Sequence, residues 1–229
     1  MEYCKQKVEE VLKELNVDVE KGFSNEEVEK RKAHISLLYA EKREEIQKRL
    51  ANFQNLPKKA WLYELIFCLL TPQSSGRRCW EAVLKLEASN FKNIENILKT
   101  RTRFHKTKTM RVKTALQDWP KIKKIIEETS NAFTLRNSLS ENVKGFGMKE
   151  SSHFIRNIGK SENQLAILDR HVLKNLSAYS IINANKVKID KKNYLEIERK
   201  MKQFADEVNI PVDALDLLLW SKETGEVFK

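Results

Sequence analysis

The stretch Val143-Lys144-Gly145-Phe146-Gly147-Met148-Lys149-Glu150 sets two glycines around one apolar residue, with a lysine just beyond them. Leu168-Asp169-Arg170-His171 follows, its aspartate twenty positions after that lysine. Each residue type has a chemical use. Glycines let backbone N–H groups approach a phosphate closely. A turn at Gly145 and Gly147 would expose such groups to a phosphate oxygen, with the charge of Lys144 beside them. An amine such as that of Lys149 can attack a sugar carbon. A carboxylate such as that of Asp169 can take a proton or stabilise a developing cation.

The same residues have ordinary structural uses. Lys149 is one of many lysines and could be a solvated charge. Gly145 and Gly147 could serve a plain turn between helices. Asp169 suits the N-cap of a helix running through His171, Leu173 and Leu176, a role compatible with chemistry. Position favours the reactive reading of Lys149. It falls in the first turn of a helix, where the positive dipole end disfavours a charged amine.

The elements that must position these groups are helical. Only six Gly and four Pro punctuate 229 residues, and apolar residues recur with helical period. Ser24 with Glu27 makes a capping-box pattern ahead of a long charged helix reaching about Leu50. Pro57 opens a second helix carrying Trp61, Leu62, Leu65, Ile66, Leu69 and Leu70, apolar enough to lie in a core. Thr71-Pro72 ends it. Further helices are expected from Ser74 to about Glu87 and from His105 to about Trp119, where Pro120 breaks the pattern or begins the next helix. Asp190 caps a helix from Lys191 to about Val208. Pro211 opens the last one and Gly225 stops it. The expected fold class is all-α.

Lys and Arg outnumber Asp and Glu by 43 to 32, a net charge of +11. That excess suits a polyanionic partner, but also a merely Lys-rich surface. No apolar run approaches the ~20 residues that span a bilayer, and the N-terminus lacks a signal-peptide apolar region. Cys4, Cys68 and Cys79 are too few and scattered for a disulfide framework, and cannot supply the four thiolates of an iron–sulfur site. An intracellular, reducing compartment is expected, the cytoplasm (nucleoid) if the source is prokaryotic. No cofactor and no metal are expected.

The words Leu70-Thr71-Pro72-Gln73, Arg103-Phe104, the block Gly145 to Asn157, Ile167 to His171 and the tail Trp220 to Lys229 carry a resemblance. From about residue 60 to its end, the chain resembles the archaeal, or type-2, 8-oxoguanine DNA glycosylase/AP lyases of the helix-hairpin-helix superfamily. The resemblance implies two helical lobes, residues 1–55 plus 162–229 and residues 56–161, the second ending in the hairpin. DNA would bind in the cleft between them. Lys149 and Asp169 would be the catalytic pair, the lysine amine displacing the base at C1′ and leaving a Schiff base from which the 3′ phosphate departs by β-elimination. A base removed from a duplex must first leave the stack; Gln73 would fill the vacancy and Arg78 would read the opposite base or hold a phosphate. Phe104 and Trp220 would sandwich the extruded base. The basic neighbours of Phe104 suit nucleic acid, whereas Trp220 ends a Leu-rich helix where aromatics usually pack inside. Asp216 would accept from the N1–H and N2–H₂ of a guanine-type base, or else be a surface carboxylate. His171 would touch a phosphate. Lys229 would reach the base pocket, its terminal carboxylate accepting the N7–H of 8-oxoguanine and repelling the N7 lone pair of guanine.

The implied partner is duplex DNA containing 8-oxoguanine or an abasic site, bound by a monomer with no membrane involved. Two other functions share these features. An enzyme for oxidised pyrimidines is disfavoured by the missing cysteine cluster and by the C-terminus. A non-catalytic hairpin that only binds DNA is disfavoured by Lys149 together with Asp169. The first 50 residues match nothing in the family pattern.

Overall fold

The structure, a computed structural model, describes residues 25–183 and 189–229. Ser24 and its cap therefore lie outside the described residues. Every regular element described is helical. Helix α1 (Asn25–Gln54) is charged, but Ile35, Ile46 and Phe53 are buried along one side. Their spacings of eleven and seven residues are about three and two turns. A 3₁₀ turn (Lys58–Ala60) leads into α2 (Trp61–Leu70), buried almost all round. Then come α3 (Gly76–Ala88), α4 (Ile94–Lys99), α5 (His105–Glu128), α6 (Ala132–Asn142) and α7 (Met148–Asn157). The chain closes with α8 (Arg170–Ala178), α9 (Lys191–Glu207) and α10 (Val212–Thr224).

The caps are where residue chemistry puts them. Asp169 accepts from His171 N and Val172 N, and Asp190 from Asn193 N. Gly225 closes α10 with a left-handed φ of 83°. Pro120 differs from expectation: it neither ends nor begins a helix but lies inside α5. Val112 and Ala115 before it, and Ile122 and Ile126 after it, all bury into one core while Pro120 faces solvent. Packing on both sides offsets a lost hydrogen bond and a cost of about 3 kcal/mol. Helix α4 is not anticipated by periodicity; it is short and starts after Asn93 in a left-handed conformation.

The buried residues form two hydrophobic clusters. One is built from α2 to α7 and includes Leu65, Leu69, Val83, Val112, Leu135 and Phe154. The other joins Ile35, Ile46 and Phe53 of α1 to α8, α9 and α10. Helix α10 packs on α1, α8 and α9, while α2 packs on α3, α5 and α7. Helices α1 and α7 meet at the junction. There Gly159 has a φ of 71°, and a Cβ on it would come within 2.6 Å of the Gln54 backbone. Two buried ion pairs cross the same junction: Arg136 of α6 with Glu198 of α9, and Arg156 of α7 with Asp216 of α10, each at 2.5 Å. No described helix is long and apolar enough to cross a membrane.

Candidate active site

The hairpin between α6 and α7 is tight. Phe146 is buried and packs toward Phe154, and its N–H bonds Val143 O at 3.0 Å. Gly145 has a φ of 101°, and a Cβ there would meet the Arg111 side chain at 2.5 Å. The left-handed φ is what calls for glycine here, since the far end of the flexible Arg111 side chain can swing aside. Lys144 is exposed at the tip. Gly147 caps α7, with its N–H on Glu150 Oε2 at 3.2 Å.

Lys149 follows in the first turn of α7, only partly exposed, with Nζ 3.0 Å from Glu150 Oε1. Its charge reaches groups on five helices. Burial raises the thiols of Cys68 on α2 and Cys79 on α3, and both feel the Lys149 ammonium. Burial lowers Lys108 on α5 to about 8 and holds His153 on α7 well below its ordinary value; Lys149 adds to both effects. Asp216 on α10 is pushed up to about 7 by burial, with Asp169 and Asp213 adding to the rise and Arg156 and Lys149 opposing it. The Lys149 charge is thus felt by buried groups on α2, α3, α5, α7 and α10, and Asp216 feels both Lys149 and Asp169.

Asp169 uses one oxygen as the cap. Its Oδ1 takes His171 N at 2.8 Å and Val172 N at 2.9 Å. Two backbone bonds fix the carboxylate rigidly at the start of α8. His171 is half-buried, its ring accepting from Arg170 Nε at 3.2 Å.

Asp216 is no surface carboxylate. It is 4% exposed, its Oδ2 on Arg156 and its Oδ1 buried without a hydrogen-bond partner. Arg156 continues the chain to Asn157 Oδ1, and Asn157 Nδ2 donates to Glu64 Oε2 at 2.9 Å. Glu64 Oε1 pairs with the Lys229 ammonium. A buried polar seam thus runs from Asp216 to the last residue. The Lys229 ammonium lies 3.5 Å from the centre of the Trp80 ring and 5.5 Å from that of Phe67. Burial lowers its pKa against the opposing pull of Glu64. The tail is anchored, not frayed.

Glu64, Trp80, Arg156 and Phe228 are site residues that sequence reasoning did not single out. A lone carboxylate inside Trp-Leu-Tyr-Glu-Leu-Ile-Phe-Cys-Leu-Leu was the available signal for Glu64. Phe228 packs beside Trp220 and Gly76, its ring 6.4 Å from that of Trp220.

The loop residues are arranged less compactly. Gln73 is exposed in the turn between α2 and α3, at a left-handed φ of 54°. Arg78 is exposed on α3. Phe104 precedes α5 at a φ of 56°, is 55% exposed, and has the Arg103 guanidinium 5.5 Å from its ring centre. The rings of Phe104 and Trp220 are not in contact with each other. Among the described residues no cluster of His, Cys, Asp and Glu is placed to hold a metal ion.

A family model described as 8-oxoguanine DNA glycosylase matches residues 46–210. A second, for the N-terminus of cation transporter/ATPases, matches residues 3–36 alone. An 8-oxoguanine DNA glycosylase/AP lyase of Fusobacterium nucleatum is 35% identical over 209 residues, covering 85% of this chain and 96% of that protein. One from Methanocaldococcus jannaschii is 31% identical, covering 80% and 91%. The crystal structure of the Methanocaldococcus jannaschii 8-oxoguanine glycosylase/lyase in complex with 15mer DNA containing 8-oxoguanine superposes with a TM-score of 0.76 at 29% identity, covering 86% of this chain and 100% of that one.

Proposed function

The chain belongs to the 8-oxoguanine DNA glycosylase family, and from that premise we propose that it excises 8-oxoguanine from duplex DNA and cuts the abasic strand through a Schiff base on Lys149. The observation that carries this reading is the placement of Lys149: partly exposed, in the first turn of α7 just after a hairpin whose Lys144 is exposed, and within electrostatic reach of a buried carboxylate, Asp216, that also feels Asp169.

In the free protein the ammonium rests on Glu150. Once neutral, the amine attacks C1′ and the base leaves. Asp169, fixed by its two backbone bonds, takes the proton or stabilises the cationic sugar. The nitrogen then loses a proton and the C1′–O4′ bond opens, giving the Schiff base; this acidifies C2′, and β-elimination releases the 3′ phosphate. Gly145, Gly147 and Lys144 bind a backbone phosphate, and His171 a second one. Gln73 fills the gap and Arg78 faces the opposite base. Phe104 closes on the extruded base from the side opposite Trp220. The exposure of Phe104 in the free protein supports such a role, because a ring that is 55% exposed has a face to offer. Asp216 offers its unpartnered oxygen to the base, and Lys229 its terminal carboxylate. The lobes are residues 1–55 plus 162–229 and residues 56–161; among the described residues the two hydrophobic clusters support that division, although Leu165 and Phe228 pack with the second lobe. The protein acts as a monomer, inside the cell, with no cofactor.

The test is incubation with 8-oxoguanine duplex and borohydride. A covalent protein–DNA adduct is expected. Base release without an adduct would make the enzyme a simple hydrolase, and an adduct formed only on oxidised pyrimidines would favour the alternative substrate class.

A pH prediction follows from Asp216. Accepting N1–H and N2–H₂ requires the ionised carboxylate, and burial raises its pKa to about 7. The active form is the deprotonated one, so excision should rise as pH passes upward through about 7. Cleavage of a preformed abasic site involves no base and should lack that inflection. Single-turnover profiles of both reactions from pH 5 to 9 check it; identical profiles would remove Asp216 from base recognition.

A further inference from the structure

Alone among the described lysines, Lys108 is buried as a whole residue, 2% exposed. It takes no part in the chemistry above. Its Nζ donates to Leu70 O at 2.7 Å, Pro72 O at 2.8 Å and Ser74 Oγ at 2.8 Å. An ammonium has three donors and no acceptor, so the group is fully satisfied. Leu70 O is a carbonyl at the C-terminal end of α2, where orphan carbonyls and the negative dipole end favour a cation. The lysine therefore fastens the turn that follows α2.

The second partner of Ser74 makes the arrangement more than a helix cap. Ser74 Oγ also accepts from Arg103 N at 3.0 Å. Ser74 lies next to Gln73, and Arg103 next to Phe104. Gln73 and Phe104 both hold left-handed backbones, φ 54° and 56°, without being glycine. Such conformations persist only where surrounding contacts fix them. Here the contacts are one ammonium and one hydroxyl, shared between the two turns.

We propose that Lys108 is a positioning residue for base extrusion: through Ser74 it locks the turn carrying Gln73 to the turn carrying Phe104. The side chain that enters the duplex and the aromatic that receives the base then move as one unit. The inference rests on the roles given above to Gln73 and Phe104. It makes the joint matter for the extrusion step and not for bond breaking.

The experiment compares single-turnover excision from two duplexes. In one, 8-oxoguanine faces cytosine. In the other it faces an abasic analogue, so no pairing opposes extrusion. Ser74→Ala removes the shared acceptor and leaves Lys108 its two carbonyls; Lys108→Met removes the ammonium. Each should slow excision from the paired duplex roughly tenfold or more. From the unpaired duplex the loss should stay within about threefold, because the lost positioning then opposes less. The double variant should be no slower than the worse single one, as expected for two members of one joint. A purely structural role would slow both duplexes by the same factor, and that result, or an unchanged ratio in Ser74→Ala, overturns the proposal. Should Lys108→Met not fold, Ser74→Ala decides alone. Wild-type protein that excises 8-oxoguanine from neither duplex would instead overturn the functional reading itself.

Discussion

Lys149→Gln is expected to lose the borohydride-trapped adduct and strand cleavage outright, with a melting temperature within roughly 2 °C of the parent. A carboxamide nitrogen is not a nucleophile toward C1′, and loss of an enzyme's nucleophile lowers rates by on the order of 10⁴ or more. The structure says why the fold should tolerate the change. Lys149 is partly exposed and makes one ion pair, with Glu150 Oε1. The other oxygen of Glu150 holds Gly147 N independently, so the start of α7 keeps its cap. Asp169→Asn is the matching change on the partner. Asn caps a helix about as well as Asp, so the bonds from His171 N and Val172 N survive while the charge is lost. Excision should fall steeply without unfolding. Circular-dichroism melts and single-turnover assays on both variants check this. An adduct of undiminished yield in Lys149→Gln would move the nucleophile elsewhere. Lys108 is a poor substitute despite its lowered pKa, because all three of its donors are engaged inside the protein.

What was legible in the chain is what depends on near neighbours. The hairpin, the lysine after it and the aspartate cap are encoded by residues a few positions apart, so type and spacing reveal them. The exposure of Phe104 was foreshadowed by Arg101, Arg103, His105 and Lys106 around it. The polar seam was not legible. Glu64 meets Lys229 across 165 positions, Arg156 meets Asp216 across 60, and Lys108 meets Leu70 across 38. Nothing local to Arg156 or Lys108 distinguishes them from the many cations on the surface. Only folding decides which charges are buried, and burial is what makes the pairing obligatory. Pro120 teaches the same lesson from the other side, since packing of α5 overrides the local preference to break.

The C-terminal lysine brings both kinds of information together, and its two halves should be separable. Its ammonium and the Glu64 carboxylate are 8% and 2% exposed. Lys229→Met leaves Glu64 buried and unpaired, which costs about 3–5 kcal/mol and should lower the melting temperature by roughly 6–20 °C. Glu64→Gln added to Lys229→Met removes the stranded charge while still accepting from Asn157, so most of that loss should return. Deleting the whole residue would strand Glu64 in the same way, which makes truncation a poor test of selectivity. A C-terminal extension is the better one. It keeps the ammonium on Glu64 and converts only the terminal carboxylate into a neutral amide. The melting temperature should hold, while preference for 8-oxoguanine over guanine falls. In the proposed reading a carboxylate there would bond the N7–H of the first and repel the lone pair of the second. A hydrogen bond to a charged group contributes about 1.5–3 kcal/mol, so selectivity should drop roughly tenfold to a hundredfold. Cleavage of a preformed abasic site needs no base and should survive the extension. Unchanged selectivity in a stably folded, extended protein would show that the carboxylate reads nothing. An unchanged melting temperature in Lys229→Met would show that the Glu64 pair does not hold the tail.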